Sequence, residues 1–593
     1  MRTDDLSTRE SLRLTVRTAT DSVRDAARYA TSWLVLCSVL TIAQAFLPGA
    51  QVVLLQQLIN ALTSSDQAPL WGPLLGLTAV VGLMYPMGQV YLASTHRMAL
   101  RLRLRYRSDL AFAIARLAPS RIARPDVGAA LTASQTATGA IDHVAGKVLQ
   151  VVGAGITSTV LCAVVWRIDP VAGLLIVAAL LPTVLAFTVI ARMEAREWPA
   201  VATFERAAEY ATEQLVQQRP ATELAVLGSG PKVAATVAAR RGEAMRVLDR
   251  MIGTAMRMEL VAALGTAVIF GAALVALVTG GATGADAAAA VAGAISGLNA
   301  IRLCGYAVGV IITATPQATI YRDFLATARP AEPQSVTREA ASVRLEHVSY
   351  TYPGAAEPAL KDVSIHANRG ELIALVGVNG AGKTTLINVL VGLLTADEGR
   401  VLIGGTDADE LTETERLGYV GLLVQEFGRF EFSLRDVVAL GRPGPVTDDE
   451  VYRALSSAEA EVFTRRLRLD DQLGQQWGGT GISGGQWQRL ALARIYLRDA
   501  AVWILDEPTS AVDAEAEREI FAGLRGSGAD RITIVVSHRA WTLREMDRIY
   551  VIDDGAVVEQ GTYASLLADQ GSRFAAIFTD QELEVERGAA RSR

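Results

Sequence analysis

Residues 377–385 read Gly377-Val378-Asn379-Gly380-Ala381-Gly382-Lys383-Thr384-Thr385. The run before them, Leu372-Ile373-Ala374-Leu375-Val376, is short and apolar and predicts a buried parallel strand. The run from Thr384 through Leu390 predicts a helix. Glycines between a strand and a helix let the backbone turn successive N–H groups onto an anion. The helix N-terminus adds partial positive charge at the same place. Lys383 is expected to reach the β- and γ-phosphates of a bound nucleotide, and the Thr384 hydroxyl to ligate Mg²⁺. The expected cofactors are ATP and Mg²⁺.

Three further strand ends belong with this loop. The apolar run Ala501-Val502-Trp503-Ile504-Leu505 ends in Asp506-Glu507. Carboxylates at the C-terminal edge of a parallel sheet face the crevice where ligands bind. Asp506 is expected to sit beside Mg²⁺, and Glu507 to act as the base that orients the attacking water. His538 follows the strand Ile532–Val536, and Gln425 follows the apolar run Val420–Val424. By position alone His538 reads either as a structural residue or as a γ-phosphate contact. Gln425 reads either as a polar loop residue or as a group beside metal and water. About a hundred residues after the phosphate loop comes Ile482-Ser483-Gly484-Gly485-Gln486.

With these motifs together, residues from about 342 to 575 resemble the nucleotide-binding domain of ATP-binding cassette (ABC) transporters. The resemblance implies roles that spacing does not give. Tyr352 falls where the family stacks adenine. Gly377, Val378, Asn379, Gly380, Ala381, Gly382, Lys383, Thr384 and Thr385 form the phosphate loop. Gln425 falls on the loop that senses Mg²⁺ and couples to the membrane domain. Ser483, Gly484, Gly485 and Gln486 match the signature that covers the γ-phosphate of ATP held by an opposing subunit. Ser510-Ala511-Val512-Asp513 matches the loop linking the two sites, and His538 the switch histidine. Ile482 stands where the family usually has Leu. Gln425-Glu426-Phe427, Ser433-Leu434-Arg435-Asp436 and the triplet Gln486-Trp487-Gln488 look like the subgroup that includes exporters of lanthipeptides and related ribosomal peptides. Gln475 and Gln476 stand where related exporters often carry Glu.

The chain has 593 residues and is 51% hydrophobic, with mean hydropathy +0.28. The excess apolarity lies before residue 325, where six stretches are long enough to span about 30 Å of hydrocarbon. They fall near 33–59, 71–93, 145–166, 170–191, 259–280 and 288–312. Arginines cluster before the first stretch (Arg2, Arg9, Arg13, Arg17, Arg24, Arg28), between the second and third (Arg97 to Arg124) and between the fourth and fifth (Arg192 to Arg241). The loops near 62–70 and 281–287 have no Lys or Arg. Positive residues stay cytoplasmic, so both termini and both long loops are expected on the side of the ATPase domain, in a bacterial cytoplasmic membrane. No cleavable signal peptide is expected.

The expected architecture is a multidomain membrane protein: an all-α six-helix transmembrane domain (type IV ABC exporter fold, by resemblance) followed by an α/β P-loop NTPase domain. The expected divisions are an N-terminal segment 1–30, transmembrane domain 31–322, linker 323–341, nucleotide domain 342–580 and tail 581–593. The segment Ala328-Arg329-Pro330-Ala331-Glu332-Pro333-Gln334-Ser335 reads as an extended hinge. By the same resemblance, Pro125–Ala133 and Glu209–Arg219 are the short coupling helices of the cytoplasmic loops. Cys37, Cys162 and Cys304 show neither metal spacing nor disulfide logic. A net charge of −6 gives no sign of nucleic-acid binding.

One chain thus supplies half of a transporter, working as a homodimer or as a heterodimer with a related half-transporter in a lipid bilayer. The expected cargo is a peptide or other amphipathic small molecule moved outward. A lipid translocase, a siderophore-type importer with an exporter fold and a non-transporting membrane ATPase remain as alternatives. Asn299, Arg302 and Tyr306 share one helical face. That face either lines a transport path or lets Arg302 snorkel to the inner headgroups.

Overall fold

The structure, a computed structural model, describes residues 8–63, 70–117, 121, 125–167, 169–279, 283–327, 335–508, 514–527, 530–569 and 571–578. Ala328 to Gln334 of the expected hinge, Ser510-Ala511-Val512-Asp513 and the tail 581–593 lie outside the described residues. The chain divides into two compact units: Met1–Leu117 with Arg124–Arg329, and Ala118–Ala123 with Pro330–Arg593.

The described residues of the first unit are helical: α1 (Thr8–Tyr29), α2 (Thr31–Thr63), α3 (Trp71–Ala115), α4 (Pro125–Ile141), α5 (Val144–Trp166), α6 (Pro170–Ala178), α7 (Leu180–Val216), α8 (Gln218–Val226), α9 (Gly230–Thr279) and α10 (Gly284–Thr327). Among the described residues, five stretches are long and apolar enough to cross a membrane: Thr31–Thr63, Trp71–Ala115, Ala130–Trp166, Gly230–Ala276 and Gly284–Thr327. The fourth stretch expected from the sequence, 170–191, is instead divided between α6 and α7 at Ala179. Pro182 explains the break, because it has no N–H to offer the carbonyl four residues back and its ring crowds that carbonyl. The hydroxyl of Thr266 on α9 donates to the neighbouring Ala179 carbonyl at 3.3 Å and ties the break to that helix.

The helices far exceed the membrane. α3 has 45 residues, or about 68 Å at 1.5 Å per residue, against about 30 Å of hydrocarbon. The extensions of α7 and α9 pack through Val201, Ala244, Val247 and Met251. Between those two helices the short α8 occupies Gln218–Val226, later than the Glu209–Arg219 expected, most of which ends α7. Local chemistry sets these bounds. Pro220 falls in the first turn, where its missing N–H costs nothing. Gly228 stops the chain at φ 63°.

Close approach and a few polar links fix the bundle. A Cβ on Gly153 of α5 would sit 2.7 Å from Thr41 of α2, and the Thr157 hydroxyl donates to the Ala45 carbonyl at 3.2 Å. Asp142, in the turn between α4 and α5, has a fully buried side chain that accepts from Arg103 of α3 at 2.5 Å. The Arg103 side chain is 35% exposed and His143 Nε2 lies 3.4 Å from Asp142, so removing Arg103 costs less than a fully buried pair would, about 3–5 kcal/mol. Arg103→Met should therefore lower the unfolding temperature of the detergent-solubilised chain measurably, while Arg103→Met with Asp142→Leu recovers most of the loss. An unchanged unfolding temperature in the single variant would show that the pair contributes nothing.

The second unit holds two sheets. One is six-stranded in the order β10-β9-β3-β8-β7-β6, built from β3 (Leu372–Val376), β6 (Val420–Leu423), β7 (Val502–Asp506), β8 (Ile532–Val536), β9 (Arg548–Asp553) and β10 (Ala556–Gly561). All neighbouring pairs run parallel except β9 with β10. The other sheet, β2-β1-β4-β5, is antiparallel and uses β1 (Ser342–Tyr350), β2 (Leu360–Asn368), β4 (Glu398–Ile403) and β5 (Thr406–Asp407). Strands β3, β7 and β8 are buried along their whole length, as unbroken apolar runs require in a sheet covered on both faces. Leu375 pairs with Val536, and Val536 with Asp506. This register brings the phosphate loop, Asp506-Glu507 and Ser537-His538 out at one sheet edge.

Candidate nucleotide site

The phosphate loop leaves β3 and enters the helix Lys383–Val391, one residue earlier than the sequence reading. Two of its glycines are dictated by space. A Cβ on Gly377 would lie 2.1 Å from the Ile552 carbonyl oxygen. One on Gly382, at φ 105°, would lie 2.8 Å from the Ala359 carbonyl oxygen. The first-turn amides of Lys383, Thr384 and Thr385 have no acceptor within their helix, so they can serve an anion. Val378, Asn379 and Gly380 are exposed at the rim, with Ala381 buried beneath them. The Lys383 ammonium is folded back into the loop, donating to the carbonyls of Gly377 at 2.6 Å and Val378 at 3.0 Å. Burial pulls its pKa down, against the pull of Asp506 and Glu507.

Asp506 is buried at the end of β7. Burial raises its pKa, Glu507 adds to that, and Lys383 opposes it. Glu507 adopts φ 49°, unusual for a residue with a side chain, and its N–H donates to the Val536 carbonyl at 3.1 Å. That backbone turn aims the carboxylate at two of the residues singled out from the sequence. Gln425 Nε2 donates to Glu507 Oε2 at 3.1 Å, and His538 Nε2 lies 3.4 Å from Glu507 Oε1. Burial first, and Lys383 second, lower the His538 pKa, and Glu507 opposes them. Tyr352 is 42% exposed and its hydroxyl lies 3.1 Å from Thr385 Oγ1, beside the loop and open to a ligand.

The signature stands apart from this cluster. Ser483 caps the helix Gly484–Arg498 through a reciprocal box with Gln486, whose side chain accepts from the Ser483 N–H at 2.8 Å. Among the described residues no hydrogen bond joins 483–486 to 377–385. The sequence reading missed one link. Gln488, buried two residues beyond the signature, donates from Nε2 to the Glu507 carbonyl at 3.1 Å. It ties the signature helix to the proposed base. The triplet Gln486-Trp487-Gln488 marked it as part of a subgroup pattern, with no sign of this contact. Gln488→Leu should lower kcat for ATP hydrolysis by roughly tenfold or more through misplacement of Glu507, with KM nearly kept. Equal losses in kcat and nucleotide affinity would make it a fold residue only.

The donor set fits Mg²⁺. Thr384, Gln425 and Asp506 offer hard oxygen ligands, and Thr384 is exposed. Among the described residues no group of three His, Cys, Asp or Glu could hold an ion.

The whole chain matches the solved structure of a bacterial Atm1-family ABC exporter with ATP bound, at TM-score 0.79 and 21% identity, covering 94% of this chain and 98% of that one. The fold is that of an ABC exporter. The ABC transporter family model matches residues 360–510, from β2 past the signature to the end of the Asp506-Glu507 turn. Among curated proteins, the beta-(1-->2)glucan export ATP-binding/permease protein NdvA of Rhizobium johnstonii is 37% identical over 250 residues, 41% of this chain and 42% of its own length. A putative multidrug export ATP-binding/permease protein of Staphylococcus aureus is 38% identical over 232 residues, 39% of this chain and 40% of its own. The chain thus aligns with about two fifths of the length of these curated relatives. The solved exporter extends the likeness over the helical unit of the fold.

Proposed function

We propose that this chain is an exporter half-transporter of the cytoplasmic membrane, a dimer with itself or a related chain, that couples ATP hydrolysis to outward movement of a peptide or other amphipathic small molecule. The observation that carries the reading is the convergence of Lys383, Asp506, Glu507, Gln425 and His538 at one sheet edge, in a chain whose other unit has five helices able to cross a membrane. The lanthipeptide-like residues around the signature favour a ribosomal peptide, and the names of the related export proteins favour export.

The chemistry follows from positions. The loop amides and Lys383 receive the phosphates, and Tyr352 receives the base. Mg²⁺, when bound, supplies charge neutralisation at the phosphate oxygens. Glu507, held from both sides by Gln425 and His538, accepts the proton of the attacking water. His538 donates to the developing charge. Ser483 to Gln486 of one subunit close over the nucleotide of the other. That closure passes through the cytoplasmic loops to the helical unit.

The test is ATP-dependent accumulation of a fluorescent amphipathic peptide in inverted proteoliposomes containing the chain alone. Accumulation supports a homodimeric exporter. Hydrolysis with no accumulation of any compound would overturn export, and accumulation only in right-side-out vesicles would reverse the direction. A folded chain that binds ATP without turnover would require a second half-transporter.

A further inference from the structure

The first unit carries a cationic feature that the ATP site does not use. Lys147 is the one charged residue of α5. Its Nζ lies 4.7 Å from the ring centroid of Tyr306 on α10 and donates to Gln150 Oε1 at 3.2 Å. Arg302 lies one turn before Tyr306, on the same face of α10 as Asn299, and Asn299, Arg302 and Tyr306 are all exposed. Among the described residues neither Lys147 nor Arg302 has a carboxylate within ion-pair distance. Arg322, 20 residues further along α10, is paired with Asp21.

Position along the helix matters. Asp286, in the first turn of α10, accepts from Gln56 at 2.6 Å. Arg302 is 16 residues on, about 24 Å at 1.5 Å per residue, so it lies within the expected span and short of its inner end. Two cations facing hydrocarbon there are costly. The arrangement holds only where that face meets water and a counter-charge. Ile295 and Leu303, also exposed on α10 at 54% and 45%, place apolar surface next to the charges.

We propose, resting on the transporter reading above, that Lys147 and Arg302 receive the anionic group of the cargo, with Tyr306 as a shelf between them, and that the cargo is an amphipathic anion carrying a carboxylate, phosphate or sulfate. The cation already stacked on Tyr306 and the unpaired guanidinium select charge. The neighbouring apolar surface accepts the body of the molecule. A ribosomal peptide fits when it carries acidic residues beside an apolar segment.

The experiment is equilibrium dialysis, without ATP, of two lauroyl tripeptides against the full chain in phosphatidylcholine nanodiscs. One peptide ends in two glutamates and the other in two lysines. The acidic peptide should bind at least about tenfold more tightly, the worth of one charge-assisted contact. Lys147→Met with Arg302→Leu should remove that preference, and Lys147→Arg with Arg302→Lys should keep it. Equal affinities in the wild type overturn the proposal whether or not the first double variant folds, as does a preference that survives in that variant. Loss of the difference between wild type and variant when phosphatidylglycerol replaces part of the phosphatidylcholine would assign the pair to a lipid headgroup and overturn it as a cargo site. ATPase activity, measured in parallel, tests the transporter reading separately, because the dialysis ratio does not depend on turnover.

Discussion

Glu507→Gln should abolish ATP turnover while leaving nucleotide binding intact. The substitution keeps the volume and an oxygen acceptor for Gln425, whose Nε2 donates to Glu507 Oε2 at 3.1 Å. It removes the negative charge and the capacity to take a proton. Proton transfer by a placed base contributes about 10²–10⁴-fold, so phosphate release should fall by at least about 10²-fold. Backbone placement is not at stake, because the φ of 49° is fixed by the hydrogen bond from the Glu507 N–H to Val536. The neutral side chain also relieves repulsion with Asp506, whose pKa Glu507 raises. Nucleotide affinity should therefore hold steady or improve. Phosphate release and a fluorescent-nucleotide titration on the same preparation decide it. Turnover at the wild-type rate would remove Glu507 from the base role, and a parallel collapse of binding would make it a positioning residue for the fold.

The nucleotide site was legible because each part is local in sequence. A buried strand, a glycine-rich turn and a helix start occur within 20 residues of one another, and the glycines answer to backbone contacts with Ile552 and Ala359 that any such loop must avoid. Asp506, Glu507 and His538 were found because strand ends of a parallel sheet converge. The pairings of β3, β7 and β8 then put them together. The features that escaped are long-range or balanced between close alternatives. An apolar run across 170–191 hid the break at Ala179, since hydropathy is blind to the N–H that Pro182 lacks. The position of α8 turned on Pro220 and Gly228, where the sequence reading relied on alignment with a family pattern. Gln488 and Lys147 each act through a residue far away in sequence, Glu507 and Tyr306. Periodicity carries no information on which helix a given face will meet.

The second large effect separates binding from chemistry. Lys383→Met should weaken MgATP binding by about 10–10²-fold, the loss of one or two charge-assisted contacts, and reduce turnover further still. Methionine keeps the length and apolar bulk of the stem, so the packing of a residue only 8% exposed survives. What disappears is the ammonium. That charge also interacts with the carbonyls of Gly377 and Val378 and the carboxylates of Asp506 and Glu507, so the net gain from a phosphate is smaller than the bare attraction. Methionine leaves those two carbonyls facing the open cradle, where water can reach them, so the fold should be little affected. The unfolding temperature should then change far less than the affinity, the opposite of Arg103→Met in the helical unit. Set beside Glu507→Gln, the two variants separate binding from chemistry: one holds ATP without cleaving it, the other holds it more weakly. If Lys383→Met bound MgATP as tightly as the wild type, the loop amides alone would account for phosphate recognition. The inward hydrogen bonds of Lys383 would then be structural, with no part in receiving the nucleotide.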